Sequence, residues 1–303
     1  MKKRTTNNPR GRNKNVDEDR SKKSGFKTAG SFHKGSGKPG AKRGESKPFG
    51  DKPKRSGKSA PKRSMDGKIR LNRFLAQAGI CSRREADVLI ETGVVEVNKK
   101  IVTELGIRID PQVDVVHYGG EKIKVEGYQY VLLNKPKDFI TTSKDPQNRK
   151  TVMELISNAC IERIYPVGRL DRNTLGLLLF TNDGDLAKKL THPKHNVRKL
   201  YHASLDKKLD LKDLEKLRGE VIIEGRKVFI DAVSYVDGQP KSEVGIEIHS
   251  GRNRIVRKIF EHLGYKVNKL DRVIFAELTK RNLPRGRWRE LTNLELTNLQ
   301  MMK

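Results

Sequence analysis

Apolar residues are scarce in this chain until about residue 67, and that break decides where a core can form. Residues 1 to 63 hold 21 Lys and Arg against 5 Asp and Glu, a net charge of +16, with 9 Gly and only 8 members of the set Ala, Val, Ile, Leu, Met, Phe, Trp, Tyr and Cys. So few apolar groups cannot bury enough surface to offset the entropy of ordering a backbone. Residues 1–66 are therefore expected to be a disordered basic tail rich in Gly and Lys. From Lys68 onward apolar residues recur at regular spacing, so any fold must be built from there.

The 303 residues together carry 65 Lys and Arg against 37 Asp and Glu, a formal net charge of +28, which leaves +12 outside the tail. An excess of this size argues for a polyanionic partner, with nucleic acid ahead of a membrane surface. No apolar run approaches the roughly 20 residues that span a bilayer. The basic start also lacks the apolar stretch of a secretory signal. Cys81 and Cys160 are the only cysteines and have no C-x-x-C spacing, so a disulfide framework or zinc module is not expected and a reducing cytoplasm is. His192 and His195 flank Pro193 with no second ligand cluster, so no metal is expected. No P-loop occurs, and the G-x-G-x-x-G spelled by Gly35 to Gly40 lies in the apolar-poor tail with no strand-like run before it, so a nucleotide cofactor is not expected. Nothing in the sequence marks an obligate protein partner.

The first folded module is expected over about residues 67–127. Leu71, Phe74, Leu75 and Ala78 recur at helical spacing up to Gly79. Ser82 with Glu85 three residues later forms a capping box for a second helix, Arg83 to Thr92, closed by Gly93. A strand at Val94 to Val97 and a turn at Asn98-Lys99-Lys100 follow. Arg83 and Arg84 then fall in the first turn of the second helix, where the macrodipole disfavours cations. A phosphate ligand at that helix start would explain them.

The second module is expected over 128–303. Tyr130 to Thr142, YVLLNKPKDFITT, reads as a strand, a proline-directed turn and a second strand. Its central stretch is Pro166 to Leu186, PVGRLDRNTLGLLLFTNDGDL. The run Leu177 to Phe180, bounded by Gly176 and the turn Asn182-Asp183-Gly184, suits a short buried strand. Asp171 then sits in a loop just before a rigid core element, between Arg169 and Arg172, which should hold it ionised. Further on, Leu211, Leu214 and Leu217 mark a helix ended by Gly219, and a hairpin turns at Glu224-Gly225. Val256, Ile259, Phe260 and Leu263 define the buried face of a helix closed by Gly264, with Arg254, Arg257 and Lys258 displaced from that face.

The central stretch closely resembles the signature of the RsuA/RluB family of RNA pseudouridine synthases. The resemblance implies that Asp171, the aspartate of GRLD, is the catalytic residue. It also implies that Tyr201, in KLYHASL, contacts the target uracil, and that HSGRNRIVRKIFEHLGY supplies a basic partner for the aspartate, by position Arg257. Arg169 joins these as a substrate-binding residue. The family usually has glycine two residues after the motif's proline, where this chain has Asp138, one of the few side chains that tolerate a left-handed turn. The earlier stretch LNRFLAQAGICSRREADVLIETGVVEVNKK is similar to the alpha-L, or S4-type, RNA-binding module. By that analogy Arg70, Arg73, Arg83, Arg84 and Lys99 contact RNA phosphates.

The expected fold class is α+β: a small helix-and-hairpin RNA-binding domain, then a catalytic domain built on a mixed, mainly antiparallel sheet. The resemblance implies isomerisation of a ribosomal RNA uridine, with large-subunit RNA ahead of small-subunit RNA and no cofactor. Two rival readings are a catalytically silent ribosome-assembly factor and a DNA-compacting protein acting through its tail. The tail's charge yields a first prediction. Deleting residues 1–63 should shrink the salt slope of RNA binding, because fewer counterions are released, and leave the modified position unchanged. A shifted position in a pseudouridine map would refute this.

Overall fold

The computed structural model describes residues 67–302, and the expected tail over 1–66 lies outside them. Helix α1 (Leu71–Gln77) stops just before Gly79, and α2 (Arg83–Glu91) starts from the expected capping box. Ser82 Oγ accepts from the Glu85 N–H at 3.3 Å, and the Glu85 carboxylate accepts from the Ser82 N–H at 2.8 Å. These bonds satisfy two of the donors that every helix start leaves open. Leu71, Phe74, Leu75, Ala86 and Ile90 pack against Val95, Ile109 and Val116 to make a small separate core. Val95–Val97 lies in a four-stranded antiparallel sheet with Lys100–Ile101, Val116–Tyr118 and Glu121–Lys122.

The larger domain is organised by one sheet with seven main strands: β1 (Tyr130–Lys135), β2 (Thr174–Thr181), β3 (Lys199–Leu205), β4 (Ala232–Tyr235), β5 (Glu243–Ile248), β6 (Val267–Phe275) and β7 (Trp288–Glu290). Their spatial order is β4-β5-β3-β6-β2-β1-β7. Every neighbouring pair is antiparallel except β6 with β2, which run parallel. The uninterrupted apolar run in β2 follows from burial on both faces. Leu178 and Phe180 enter one core with Val131, Leu133 and residues of α5 (Ile255–His262). Leu177 and Leu179 enter the other, against α3 (Gly184–Thr191) and Leu299 of α6 (Asn293–Met301). Among the described residues no helix is long and apolar enough to cross a membrane.

Three local expectations need correction. The second strand after Pro136 does not form, and only a single bridge joins Ile140 to Thr151. Asp138 takes the left-handed conformation, φ 71°, and donates its N–H to the Arg172 carbonyl, so the segment bends across the Asp171 loop instead of pairing along its length. The helix α4 (Leu211–Lys216) ends before Gly219, with Leu211 facing solvent. Gly176 does not bound the buried strand but lies inside it.

Gly176 is where the two halves of the sheet meet, opposite Arg272 in the parallel pair. A Cβ there would stand 2.6 Å from the Arg272 nitrogen and closer still to its carbonyl oxygen, at a φ of 109°. Gly176→Ala should therefore combine backbone strain with overpacking and cost about 2–5 kcal/mol. Gly119→Ala, at a positive φ but in open space, should cost only about 1–2 kcal/mol. Melting curves of the two variants test this, and equal melting temperatures would refute it.

Candidate active site

The loop leading into β2 carries Asp171 to the wall of a cleft of about 710 Å³, which Tyr201, Lys199, Arg254 and Arg272 also line. Asp171 is half-buried, and among the described residues its carboxylate forms no ion pair. The flanking arginines do not close on it as expected. Arg169 stands exposed on the cleft wall. Arg172 turns to the Asp138 carboxylate at 3.5 Å, which the left-handed turn at Asp138 brings within reach.

The loop is held through its backbone. Lys135, the last residue of β1, has no exposed surface. Its Nζ donates to the carbonyls of Pro136, Asp171 and Arg172, each at 3.2 Å, and of Thr174 at 2.9 Å. Burial brings this ammonium down to about 8, against the opposing pull of Asp171 and Asp138. Thr141 adds a second tie by donating its hydroxyl to the Leu170 carbonyl at 2.8 Å. Sequence reasoning passed over Lys135. The only available signal was a lysine ending an apolar strand directly before proline.

Tyr201 is buried in β3 and still lines the cleft, so its structural and site positions coincide. Its cross-strand partner in β6 is Arg272. Arg272 is buried, donates Nε and Nη2 to the Leu177 carbonyl at 2.8 and 2.6 Å, and sits 4.3 Å from the centre of the Phe275 ring. Lys199, two residues before Tyr201, donates to the carbonyls of Val197 at 2.7 Å and His249 at 2.8 Å. Burial, reinforced by Arg272 and opposed by Asp231, brings it to about 8. Neither Lys199 nor Arg272 was picked out from the sequence.

Arg257 departs from expectation on two counts. It is buried, because it lies three residues before Phe260 and shares that side of α5. It also does not pair with Asp171. Its Nη1 donates to the Val267 carbonyl at 2.6 Å, and Asp171 acts on it only through longer-range charge. Burial lowers its pKa and Arg254 adds to that, while Asp171 and Glu261 oppose.

Of the residues assigned to phosphates, Arg70, Arg83, Arg84 and Lys99 are exposed, with Arg83 and Arg84 opening α2 and Lys99 in a left-handed turn. Arg73 is committed elsewhere, in an ion pair with Asp185 of α3. His192 accepts from the Lys194 N–H at 3.2 Å and so caps the short turn that follows it.

Comparison with known proteins places this geometry. Residues 129–262 match the family described as RNA pseudouridylate synthase, and residues 69–115 match the S4 domain. Ribosomal large subunit pseudouridine synthase B of Bacillus subtilis is 42% identical over 236 residues, 77% of this chain and 96% of that protein. Dual-specificity RNA pseudouridine synthase RluF of Escherichia coli (strain K12) is 33% identical, covering 77% of this chain and 79% of that one. A crystal structure of a pseudouridylate synthase superposes with a TM-score of 0.54 at 26% identity, over 76% of this chain and 99% of the other.

The exposed pair at the start of α2 yields a prediction. Replacing Arg83 and Arg84 together with glutamate removes two cations and favours the helix dipole. RNA binding should weaken by about 10-fold or more, while helicity read by circular dichroism holds or rises slightly. Unchanged RNA affinity would show the pair to be solvated surface only.

Proposed function

Because the chain belongs to the RNA pseudouridylate synthase family, we propose that it converts a uridine of large-subunit ribosomal RNA to pseudouridine, with Asp171 as the catalytic carboxylate. The observation that carries this reading is an aspartate whose carboxylate has no ion-pair partner among the described residues while its backbone is anchored, at the wall of a cleft otherwise rich in cations. The named functions of the Bacillus subtilis and Escherichia coli relatives support an RNA uridine as substrate, and the former supports the large subunit. Residues 67–127 dock the RNA, residues 128–303 carry the chemistry, and the tail over 1–66 adds unspecific affinity. The work is done in the cytoplasm, which suits the free thiols of Cys81 and Cys160.

The reaction detaches uracil from ribose at N1, turns it, and rejoins it through C5. It consumes no oxidant, reductant or activated donor. The target nucleotide must leave its stack to be turned, so it enters the cleft extruded. There the Tyr201 ring offers a face for the base. The Asp171 oxygen either attacks the sugar carbon C1′ or removes the proton at C2′. Arg257 is coupled to Asp171 across space rather than through a contact, and the exposed Arg169 on the cleft wall offers its charge to the substrate.

Asp171→Asn tests the assignment. The side chain keeps its size, and no ion pair is lost, so the melting temperature should stay within about 2 °C. RNA binding should hold, and pseudouridine formation should vanish. A folded variant that still isomerises uridine at an appreciable rate would sink the assignment. Mapping pseudouridine in ribosomal RNA from cells with and without the protein decides the substrate, since a position missing from small-subunit RNA instead would refute the large-subunit choice.

A further inference from the structure

We propose that Lys199 and Arg272 form an anion-receiving wall that stabilises the uracil ring once it has been detached from ribose. The proposal rests on the reading of the cleft as a pseudouridine synthase site and assigns these two residues a role in its chemistry. Both line the cleft with Asp171. In the sheet, Arg272 stands beside Tyr201 on one side and Gly176 on the other, and its guanidinium is close enough to the Tyr201 hydroxyl to interact with it. Asp171 precedes β2, whose first residue, Thr174, faces Leu270, two positions before Arg272. An aspartate at the sugar and a tyrosine on the ring leave the base edge to the other cations of the same wall, Arg272 opposite Tyr201 in the sheet and Lys199 two residues before it.

Their bonding is unusual for buried cations. Neither has a carboxylate within ion-pair distance among the described residues: Lys199 donates to main-chain carbonyls, and Arg272 donates to the Leu177 carbonyl with the Tyr201 hydroxyl close by. Lys199 uses two of its three donors in this way, and Arg272 directs Nε and Nη2 to a single oxygen. The chain does supply carboxylates close by. Asp271, adjacent to Arg272, points to the opposite face of the sheet and pairs with Lys280 and Arg285. Leaving two positive charges half-answered inside a cleft costs stability, and an anion that arrives during the reaction accounts for it.

The chemistry makes such an anion. When the C1′–N1 bond breaks, its electron pair goes to the ring, which leaves as a uracil anion with charge spread over N1 and its two carbonyl oxygens. C5 then attacks C1′, which either releases the Asp171 oxygen that had bonded to it or is accompanied by return of the C2′ proton that Asp171 had removed. The C5 proton is lost as N1 takes one up, and the ring is neutral again. Bound uridine carries no such charge, so Lys199 and Arg272 grip the detached ring more tightly than the substrate. An interaction of that kind raises kcat and leaves KM nearly unchanged.

Lys199 titrates near 8, so its positive charge is present below that pH and lost above it. The groups around it are Arg272 from β6, Tyr201 from its own strand, and Asp231, whose carboxylate meets the His249 ring at 2.9 Å. The rate of the chemical step should then fall as pH rises through about 8.

The test is single-turnover pseudouridine formation between pH 6.5 and 9.5, with full-length protein in excess over large-subunit ribosomal RNA from cells that lack it. Lys199→Met should fold, as its melting curve will show. It should lose about 100-fold in rate at pH 7 with half-saturation within about 3-fold, and show no fall near pH 8. Lys199→Arg keeps the charge throughout the range and should move the fall upward by at least one pH unit. A Lys199→Met rate within 3-fold of wild type overturns the proposal, as does a fall near pH 8 that persists in Lys199→Arg, which would point to Lys135 instead. A wild type that forms no pseudouridine on this RNA overturns the functional reading, and the proposal with it.

Discussion

The close approach of Gly176 to the backbone of Arg272 is the contact on which the rest of the catalytic domain depends. It joins the one parallel pair of the main sheet among the described residues, and so sets the β1–β2–β7 half against the β3–β4–β5–β6 half. Without a side chain at 176, β2 can lie against β6, and the Leu177 carbonyl can accept both nitrogens of the buried Arg272 guanidinium. The same register brings Tyr201 beside Arg272 and starts β2 just beyond Asp171. A close approach of two strands that only glycine permits and the chemistry thus share one junction. This is the place where neighbouring strands stop alternating in direction, so the connections at their ends diverge and leave room for a cleft.

Charge is handled differently by the buried cations at the cleft and beside it than by the exposed ones. Lys135, Lys199, Arg257 and Arg272 are buried or half-buried, and each is answered by main-chain carbonyls rather than by a carboxylate. More exposed cations are paired in the usual way, on the cleft wall as in Arg149 with Asp145 at 2.6 Å and elsewhere as in Arg289 with Glu295 at 2.6 Å. Carbonyl dipoles fix a cation in place without cancelling its charge, so each of the four still projects a positive potential. Asp171 is the cleft carboxylate that this potential acts on without a bond to blunt it. That arrangement keeps the aspartate available, where a tight Arg–Asp pair would have occupied its oxygens.

Features set by a few neighbouring residues were legible in the sequence. The Ser82–Glu85 capping box, the left-handed Asp138 and the Glu224-Gly225 turn, with φ of 52° and 70°, all appear where local chemistry put them. The buried strand around Leu177–Phe180 was legible as well, because a run apolar on both faces has few other uses. Features that depend on which strands become neighbours were not. Lys135 reads as an ordinary lysine until four carbonyls from two segments converge on it. Arg272 and Lys199 gain meaning only from the order β3-β6-β2. Arg257 was set off the buried face of α5 and expected to pair with Asp171, although its position relative to Phe260 already placed it inward.

The S4 domain is joined to the catalytic domain by contacts of a different strength. Arg73 pairs with Asp185, and Lys144 on the cleft wall pairs with Glu85, the acid of the α2 capping box. These groups are largely exposed, and exposed pairs contribute about 0–1 kcal/mol each and weaken with salt. Arg163 adds one hydrogen bond, donated to the Cys81 carbonyl at 3.2 Å. The apolar cores of the two domains remain separate. Arg73, expected at phosphate, is instead held in this join by Asp185, and Lys144 is held by the acid that directly follows Arg83 and Arg84.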